Sequence, residues 1–386
     1  MLEKALYGDK KYWAWVIFLL ALMGLGGIFY FMQLSQGLTV TGLSRDVSWG
    51  FYIAQMTYLV GVAASAVMLV LPFYLHDYKK FKKMMILGEF MAVAAVVMCI
   101  GFIVVDLGQP QRLMNVILYP SPNSMLFWDM VVLNGYLILN ILIGWVSLQT
   151  EQKGVDNPGW LKPLIYVSIV WAFSIHTVTA FLYQGLPGRH YWLTAILAAK
   201  FLASAFCSGP AILLLLSFVV KKIANYDPGQ EAVRTLAKII TYAMVANVFL
   251  FLIELFTAYY SNVPGHMHTK TYLFAGLHGA TGMVGWMWLM VVTGLMSLVI
   301  LVPPRFRNNN ELLVLGLILL VIATWIDKGM ALVVAGFIPN PFYSITEYMP
   351  TFPELMISLM VYATGALVLT VLWKVAIGVK KEVGAA

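Results

Sequence analysis

Lys79-Lys80-Phe81-Lys82-Lys83 runs directly into Met84-Met85-Ile86-Leu87-Gly88-Glu89-Phe90-Met91-Ala92-Val93-Ala94-Ala95-Val96-Val97-Met98-Cys99-Ile100-Gly101-Phe102-Ile103-Val104-Val105, and this junction decides the fold. At about 1.5 Å per helical residue, segment 84–105 extends for roughly 33 Å, enough to cross a hydrocarbon core about 30 Å thick. It lacks period-two alternation and is far longer than a barrel strand, so a strand reading fails. Four lysines at one end cannot follow it into lipid and mark the side on which that end stays.

Nine further segments read the same way. The ten predicted spans are 13–33, 49–75, 84–105, 125–148, 163–183, 191–219, 236–260, 272–301, 312–335 and 355–379, an all-α polytopic membrane protein with about ten transmembrane helices. Counted by loop, Lys4, Lys10, Lys11, Lys79, Lys80, Lys82, Lys83, Lys153, Lys162, Lys221, Lys222, Arg234, Arg305, Arg307, Lys380 and Lys381 share one side, 16 in all. The opposite loops carry 4: Arg45, Arg112, Arg189 and Lys270. Basic loops stay inside, so both termini are expected in the cytoplasm and the chain in the cytoplasmic (inner) membrane.

The net charge of +7 follows from this asymmetry. With 11% charged residues and a mean hydropathy of +0.84, it carries no nucleic-acid signal and rules out a soluble protein. The first span is too long for a signal-peptide core and lacks a small-residue cleavage site, so it is expected to persist. Cys99 and Cys207 both fall inside spans, too few and too scattered for an iron–sulphur cluster or a disulfide framework.

The longest outer loops, 106–124 and 336–353, are rich in Pro, Gly and Asn and too short to fold alone. Electron or substrate chemistry in water must therefore come from a partner chain. Within a single membrane domain, 1–386, two halves look alike. Small-residue runs at 61–66 and 203–209 precede Pro72 and Pro210, and counting back 11 residues from Pro187 and Pro339 reaches His176 and Lys328. The expectation is two related four-helix bundles, 49–184 and 191–335, flanked by helices 13–33 and 355–379. Close helix packing explains the small-residue runs equally well.

Orientation converts residue number into depth. Asp129 lies about 6 Å below the outer end of its span, His176, Glu254 and His278 about 9–11 Å, Asp327 and Lys328 about 11–12 Å, and Lys200 about 14 Å. Glu89 enters from the other side to about 8 Å. A charged residue at the bilayer centre costs about 2.5–3.5 kcal/mol on insertion scales, so these groups must face inward. Two readings follow: buried ion pairs, with Asp129, Glu254 and Asp327 set against Lys200 and Lys328, or a proton path or polar pocket. Their gathering at one depth is unexplained by pairing alone.

A two-haem cytochrome b needs four histidines at matched depths, whereas only His176 and His278 are expected well inside spans; a single haem between them is the haem arrangement left open. A quinone instead needs an apolar slot and proton donors or acceptors for two oxygens. Trp49, Tyr52, Trp128, Trp171, Trp286 and Trp288 are candidate walls, or equally an interfacial belt.

Several stretches, taken in order, resemble the polysulfide-reductase NrfD family. They are Trp49-Gly50-Phe51-Tyr52-Ile53-Ala54; Asp106-Leu107-Gly108-Gln109-Pro110 with Arg112; Pro122-Asn123-Ser124 leading to Trp128-Asp129 and Leu133-Asn134-Gly135-Tyr136; and Ser174-Ile175-His176-Thr177-Val178-Thr179 running on to Gly185-Leu186-Pro187-Gly188-Arg189. The likeness covers nearly the whole chain and looks greatest to the ten-span branch of DsrP type from sulfate reducers. It implies a quinone-interacting subunit with no haem, iron–sulphur cluster or metal of its own. It also implies docking to an extracytoplasmic ferredoxin-like iron–sulphur subunit, with cytochrome and other membrane subunits in the complex.

On this reading menaquinol, or menaquinone, binds in the outer half of the first bundle. His176 and Asp129 take the hydroxyl protons, Tyr52, Trp49 and Trp128 shape the slot, and Arg112 either clamps Asp106 or touches the partner. Lys200, Glu254, His278, Asp327 and Lys328 are candidate proton-relay residues, with Glu89 as the inner entry. A secondary transporter is a second class of protein built from paired bundles, and a passive anchor a third. A membrane-impermeant amine reagent applied to intact spheroplasts is expected to leave Lys79, Lys80, Lys82 and Lys83 unmodified; their labelling from outside inverts the assigned topology.

Overall fold

The computed structural model describes residues 1–63 and 65–384; Ala64, in the small-residue run 61–66, lies outside the described residues. The long helices are α1 (Lys10–Gln36), α2 (Phe51–Leu75), α3 (Lys82–Asp106), α4 (Met125–Lys153), α5 (Leu161–Gln184), α6 (Ile196–Ala224) and α7 (Gln230–Tyr260). A short α8 (Pro264–Phe274) precedes α9 (Val284–Leu301), α10 (Asn310–Ala335) and α11 (Phe352–Glu382). All but α8 are long and apolar enough to cross a membrane, giving the ten expected spans. Among the described residues there is no strand, only the isolated bridge between Leu277 and Ala280. The chain is an all-α, multi-pass integral membrane protein.

One expected span needs correction. Segment 272–301 is not continuous: α8 ends at Phe274 and α9 begins at Val284, with a turn between them that places Gly276, His278 and Gly279 at positive φ. Apolar residues on both sides of that turn hide the break from a hydropathy reading. The glycines and the Asn/His-like tolerance for left-handed backbone are what permit it.

Helix α2 packs against α3 and α6; α4 lies between α3 and α5; α6 packs on α7 and α10, and α9 on α10. The first and last long helices, α1 and α11, pack on each other, and α11 continues onto α3. Near the lysine-rich end, Lys4 pairs with Glu382 of α11. At the opposite end, Glu354 is fully buried and satisfied by three donors: Tyr348 Oη at 2.7 Å, Gly42 N at 2.7 Å and Thr351 N at 2.8 Å. The Tyr348 hydroxyl in turn accepts from Phe51 N at 2.7 Å. This knot joins the α1–α2 loop, the first turn of α2 and the capping box of α11.

Where α2 crosses α6, the two small-residue runs meet. A Cβ added at Gly209 would lie 2.9 Å from the Gly61 carbonyl oxygen and 3.1 Å from Ser65 N, so backbone touches backbone. Small residues allow this approach, and in lipid such packing is a main source of helix association. Nearby, α10 widens into a π-helical turn at Trp325–Ala331, a local excess of one residue that re-aims consecutive side chains. Gly209→Ala is expected to destabilise the fold by about 1–3 kcal/mol through overpacking. A lowered melting temperature of the purified protein reads this; an unchanged one means the crossing is looser than described.

Candidate functional site

Asp129 enters from the first turns of α4 and is 1% exposed. Its Oδ1 accepts from Thr179 Oγ1 of α5 at 2.8 Å, and the same hydroxyl also lies 2.7 Å from the Ile175 carbonyl, so one proton serves two acceptors. His176 is fully buried one turn before Thr179, on the same face of α5. Neither of its ring nitrogens has a partner among the described residues. One turn beyond Thr179, the Tyr183 hydroxyl bonds to Thr57 Oγ1 of α2. A carboxylate, an imidazole and two hydroxyls thus line one stripe of α5 where it faces α2 and α4.

An aromatic layer lies next to this stripe, toward the end of the bundle opposite the lysine-rich loops. Tyr183 meets Trp192 edge-on at 5.0 Å and Trp49 at 5.5 Å, and Phe337 meets Trp192 at 5.1 Å. Trp192 is anchored by its indole N–H on the Leu332 carbonyl at 2.8 Å. Arg189 stacks over Phe337 at 4.5 Å and donates to the carbonyls of Phe337 and Asp46, both at 3.3 Å. Burial is the main influence on this guanidinium and pushes its pKa down.

The second group of charges is a closed network. Lys200 Nζ of α6 donates to Glu254 Oε2 of α7 at 2.9 Å and to Asp327 Oδ1 of α10 at 3.0 Å. Glu254 Oε1 accepts from Lys270 Nζ of α8 at 2.8 Å. Two carboxylates and two ammonium groups therefore cancel in charge. Lys270 also sits over the rings of Tyr191 at 4.8 Å and Phe251 at 5.6 Å. An ion pair in low dielectric survives only when further hydrogen bonds and neighbours offset the loss of hydration, and this network supplies both.

The structure brings Lys200, Glu254 and Asp327 together and adds Lys270, which as a loop cation gave no sign of burial. His278 is corrected: it is an exposed turn residue at φ 48°, outside the network, because α8 and α9 are not one helix. Lys328 does not join its neighbour Asp327. The π turn sends it the other way, over the Phe201 ring at 4.5 Å and toward Gly61 of α2. Lys328 thus reaches from α10 to the crossing of α2 and α6.

Glu89 is buried in α3 toward the lysine-rich end, beside a cavity of about 10 Å³ lined also by Tyr136, Asn140 and Ser168. That volume holds about one water. Tyr52 is fully buried but turns its hydroxyl to Gln33 Oε1 of α1 at 2.8 Å, next to a polar cleft of about 360 Å³ between α1 and 107–111. Trp128 is 41% exposed, its indole bonded to the Pro122 carbonyl at 2.8 Å. Trp286 and Trp288 are likewise exposed, whereas Trp171 is half-buried and donates to the Val132 carbonyl at 2.9 Å. Arg112 is exposed and makes no ion pair with Asp106 among the described residues, so no clamp forms. No group of three or more His, Cys, Asp or Glu among the described residues is arranged to hold a metal ion. Thr57, Tyr183 and Trp192 escape a sequence reading because hydroxyls and aromatics in apolar helices carry no periodic signal that separates lining from packing.

Residues 39–341 match the family model described as Polysulphide reductase, NrfD. Among curated relatives, the menaquinone reductase integral membrane subunit of Nitratidesulfovibrio vulgaris is 25% identical over 95% of this chain and 91% of its own. The Hdr-like menaquinol oxidoreductase integral membrane subunit of Archaeoglobus fulgidus is 24% identical over 78% and 74%, and a selenate reductase subunit of Mesobacillus selenatarsenatis 24% over 76% and 74%. Ten apolar helices, the ordered motifs through α2, α4 and α5, and a family match over most of the length converge: this chain is a member of the polysulphide reductase NrfD family.

Proposed function

We propose that the chain is the quinone-reactive membrane subunit of a respiratory electron-transfer complex. It binds menaquinol or menaquinone beside Asp129 and His176 and exchanges electrons with an extracytoplasmic ferredoxin-like iron–sulphur subunit. The observation that carries this reading is the buried stripe of α5, where both ring nitrogens of His176 lack protein partners among the described residues, one turn from the Thr179–Asp129 hydrogen bond. Two of the relatives are named for menaquinone or menaquinol, which supports the same substrate class.

Oxidising a hydroquinone removes two protons and two electrons. His176 accepts one hydroxyl proton and the Asp129 carboxylate the other, while Thr179 orients that carboxylate. Neutral imidazole has one acceptor nitrogen and one donor, so the same side chain serves either direction of the reaction. The aromatic layer of Trp49, Tyr183, Trp192 and Phe337 keeps water from the stripe and leaves a short path outward for electrons. The chain's own residues handle protons; the electrons leave on the iron–sulphur subunit, with cytochrome and further membrane subunits completing an assembly of sulphur or sulphate metabolism of DsrP type. The lysine-rich loops and both termini lie in the cytoplasm, which puts the stripe in the outer half of the cytoplasmic membrane.

The second network adds proton translocation to this reading: Lys200, Glu254, Asp327 and Lys270 relay charge, and Glu89 with its one-water cavity is the entry from the lysine-rich end. The neutral charge count favours a purely structural role just as well, and one experiment separates them. In vesicles holding the intact complex, Glu254→Gln is expected to slow proton uptake during turnover; an unaltered stoichiometry and rate leaves the network structural. For the quinone site, His176→Ala in the whole complex is expected to lower quinol-dependent electron transfer by about 100-fold or more, the range for loss of a general base, with normal assembly. An unchanged rate overturns the site and leaves a passive anchor.

A further inference from the structure

Lys328 is 2% exposed, and its ammonium has three hydrogens to donate. One goes to the Phe201 carbonyl at 3.3 Å, and the Phe201 ring beneath it supplies a cation–π contact at 4.5 Å. Among the described residues no carboxylate lies within 4.0 Å of it, since Asp327 turns to Lys200. Two more buried polar groups converge on the same seam without partners among the described residues. Tyr58 of α2 turns its hydroxyl toward Ser208 of α6 and Thr324 of α10 without closing a hydrogen bond, and Ser208 Oγ is unpaired. A Cβ built on Gly61 would stand 3.0 Å from Lys328 Nζ and 3.4 Å from Ser208 Oγ, so both atoms border the space that this glycine leaves clear.

Buried polar groups are nearly always paired, and each one left unmade costs about 1–3 kcal/mol. Two unpaired hydroxyls beside an ammonium with hydrogens to spare are better explained by a shared partner than by separate penalties. We propose that Lys328, Ser208 and Tyr58 form a binding site for an acceptor oxygen in the seam between α2, α6 and α10. The chemistry required is a small oxygen that accepts from the ammonium and exchanges hydrogen bonds with two hydroxyls. A water molecule meets it, and so does the carbonyl oxygen of a ligand reaching in from the α5 stripe.

The site stands on Lys328 and its neighbours and not on the quinone reading, so the two fail separately. The test is a cryo-electron-microscopy map of the intact complex in nanodiscs, at a resolution that shows waters on other buried side chains, with and without a hydroxyquinoline N-oxide. Expected is density within hydrogen-bond distance of Lys328 Nζ and Ser208 Oγ. Density unchanged by the inhibitor identifies water, and replacement by an inhibitor oxygen identifies a ligand position. In Lys328→Met the density is expected to vanish. No density in the wild-type map, Lys328 Nζ bonded to a protein carboxylate, or density that persists in the methionine variant each overturns the assignment.

Discussion

The close crossing of α2 and α6 is the constraint on which the rest of this structure depends. Gly61 and Gly209 bring the two backbones into contact, and the space gained on the Gly61 side admits the ammonium of Lys328 from α10. A side chain at Gly209 would push the helices apart, and one at Gly61 would crowd the ammonium of Lys328. The runs of small residues thus answer to packing, as elementary membrane physics would have it, and through packing they set where the buried charges stand.

Charge placement follows a simple rule of low dielectric. A lysine at this depth must meet a carboxylate, a carbonyl or a ring, and Lys200, Lys270 and Lys328 each solve the problem differently. Lys200 takes two carboxylates, Lys270 one carboxylate and two rings, and Lys328 a ring and a carbonyl. The π turn at Trp325–Ala331 makes the division possible. In a regular helix adjacent residues already diverge by about 100°, and the extra residue lets Asp327 and Lys328 serve opposite faces within an otherwise buried helix. Wide turns of this kind concentrate at functional positions.

Much of the candidate site was legible because a charge inside a hydrophobic run is conspicuous. Asp129, His176, Lys200, Glu254, Asp327 and Lys328 stand out on that ground alone, and three of them do meet in one network. Their partners were not legible. Lys270 resembles an ordinary loop cation, and nothing local shows that α8 folds back so that it reaches Glu254. His278 failed for the converse reason: apolar flanks made a turn look like the interior of a helix. Glu354 escaped notice because it lies at the edge of a span, where a carboxylate is usually solvated, whereas here it is buried beneath the α1–α2 loop.

Composition and run length by themselves determined the class of the protein, the number of spans and the segregation of basic loops, because the hydrocarbon thickness and the cost of stranded charge act on each segment independently of its neighbours. Only tertiary structure decided which ionisable residues meet, which aromatics line the α5 stripe and which face outward, and on which side of the seam Lys328 falls. Those outcomes depend on helix rotation and crossing, which side chains from several segments settle jointly and no single segment encodes.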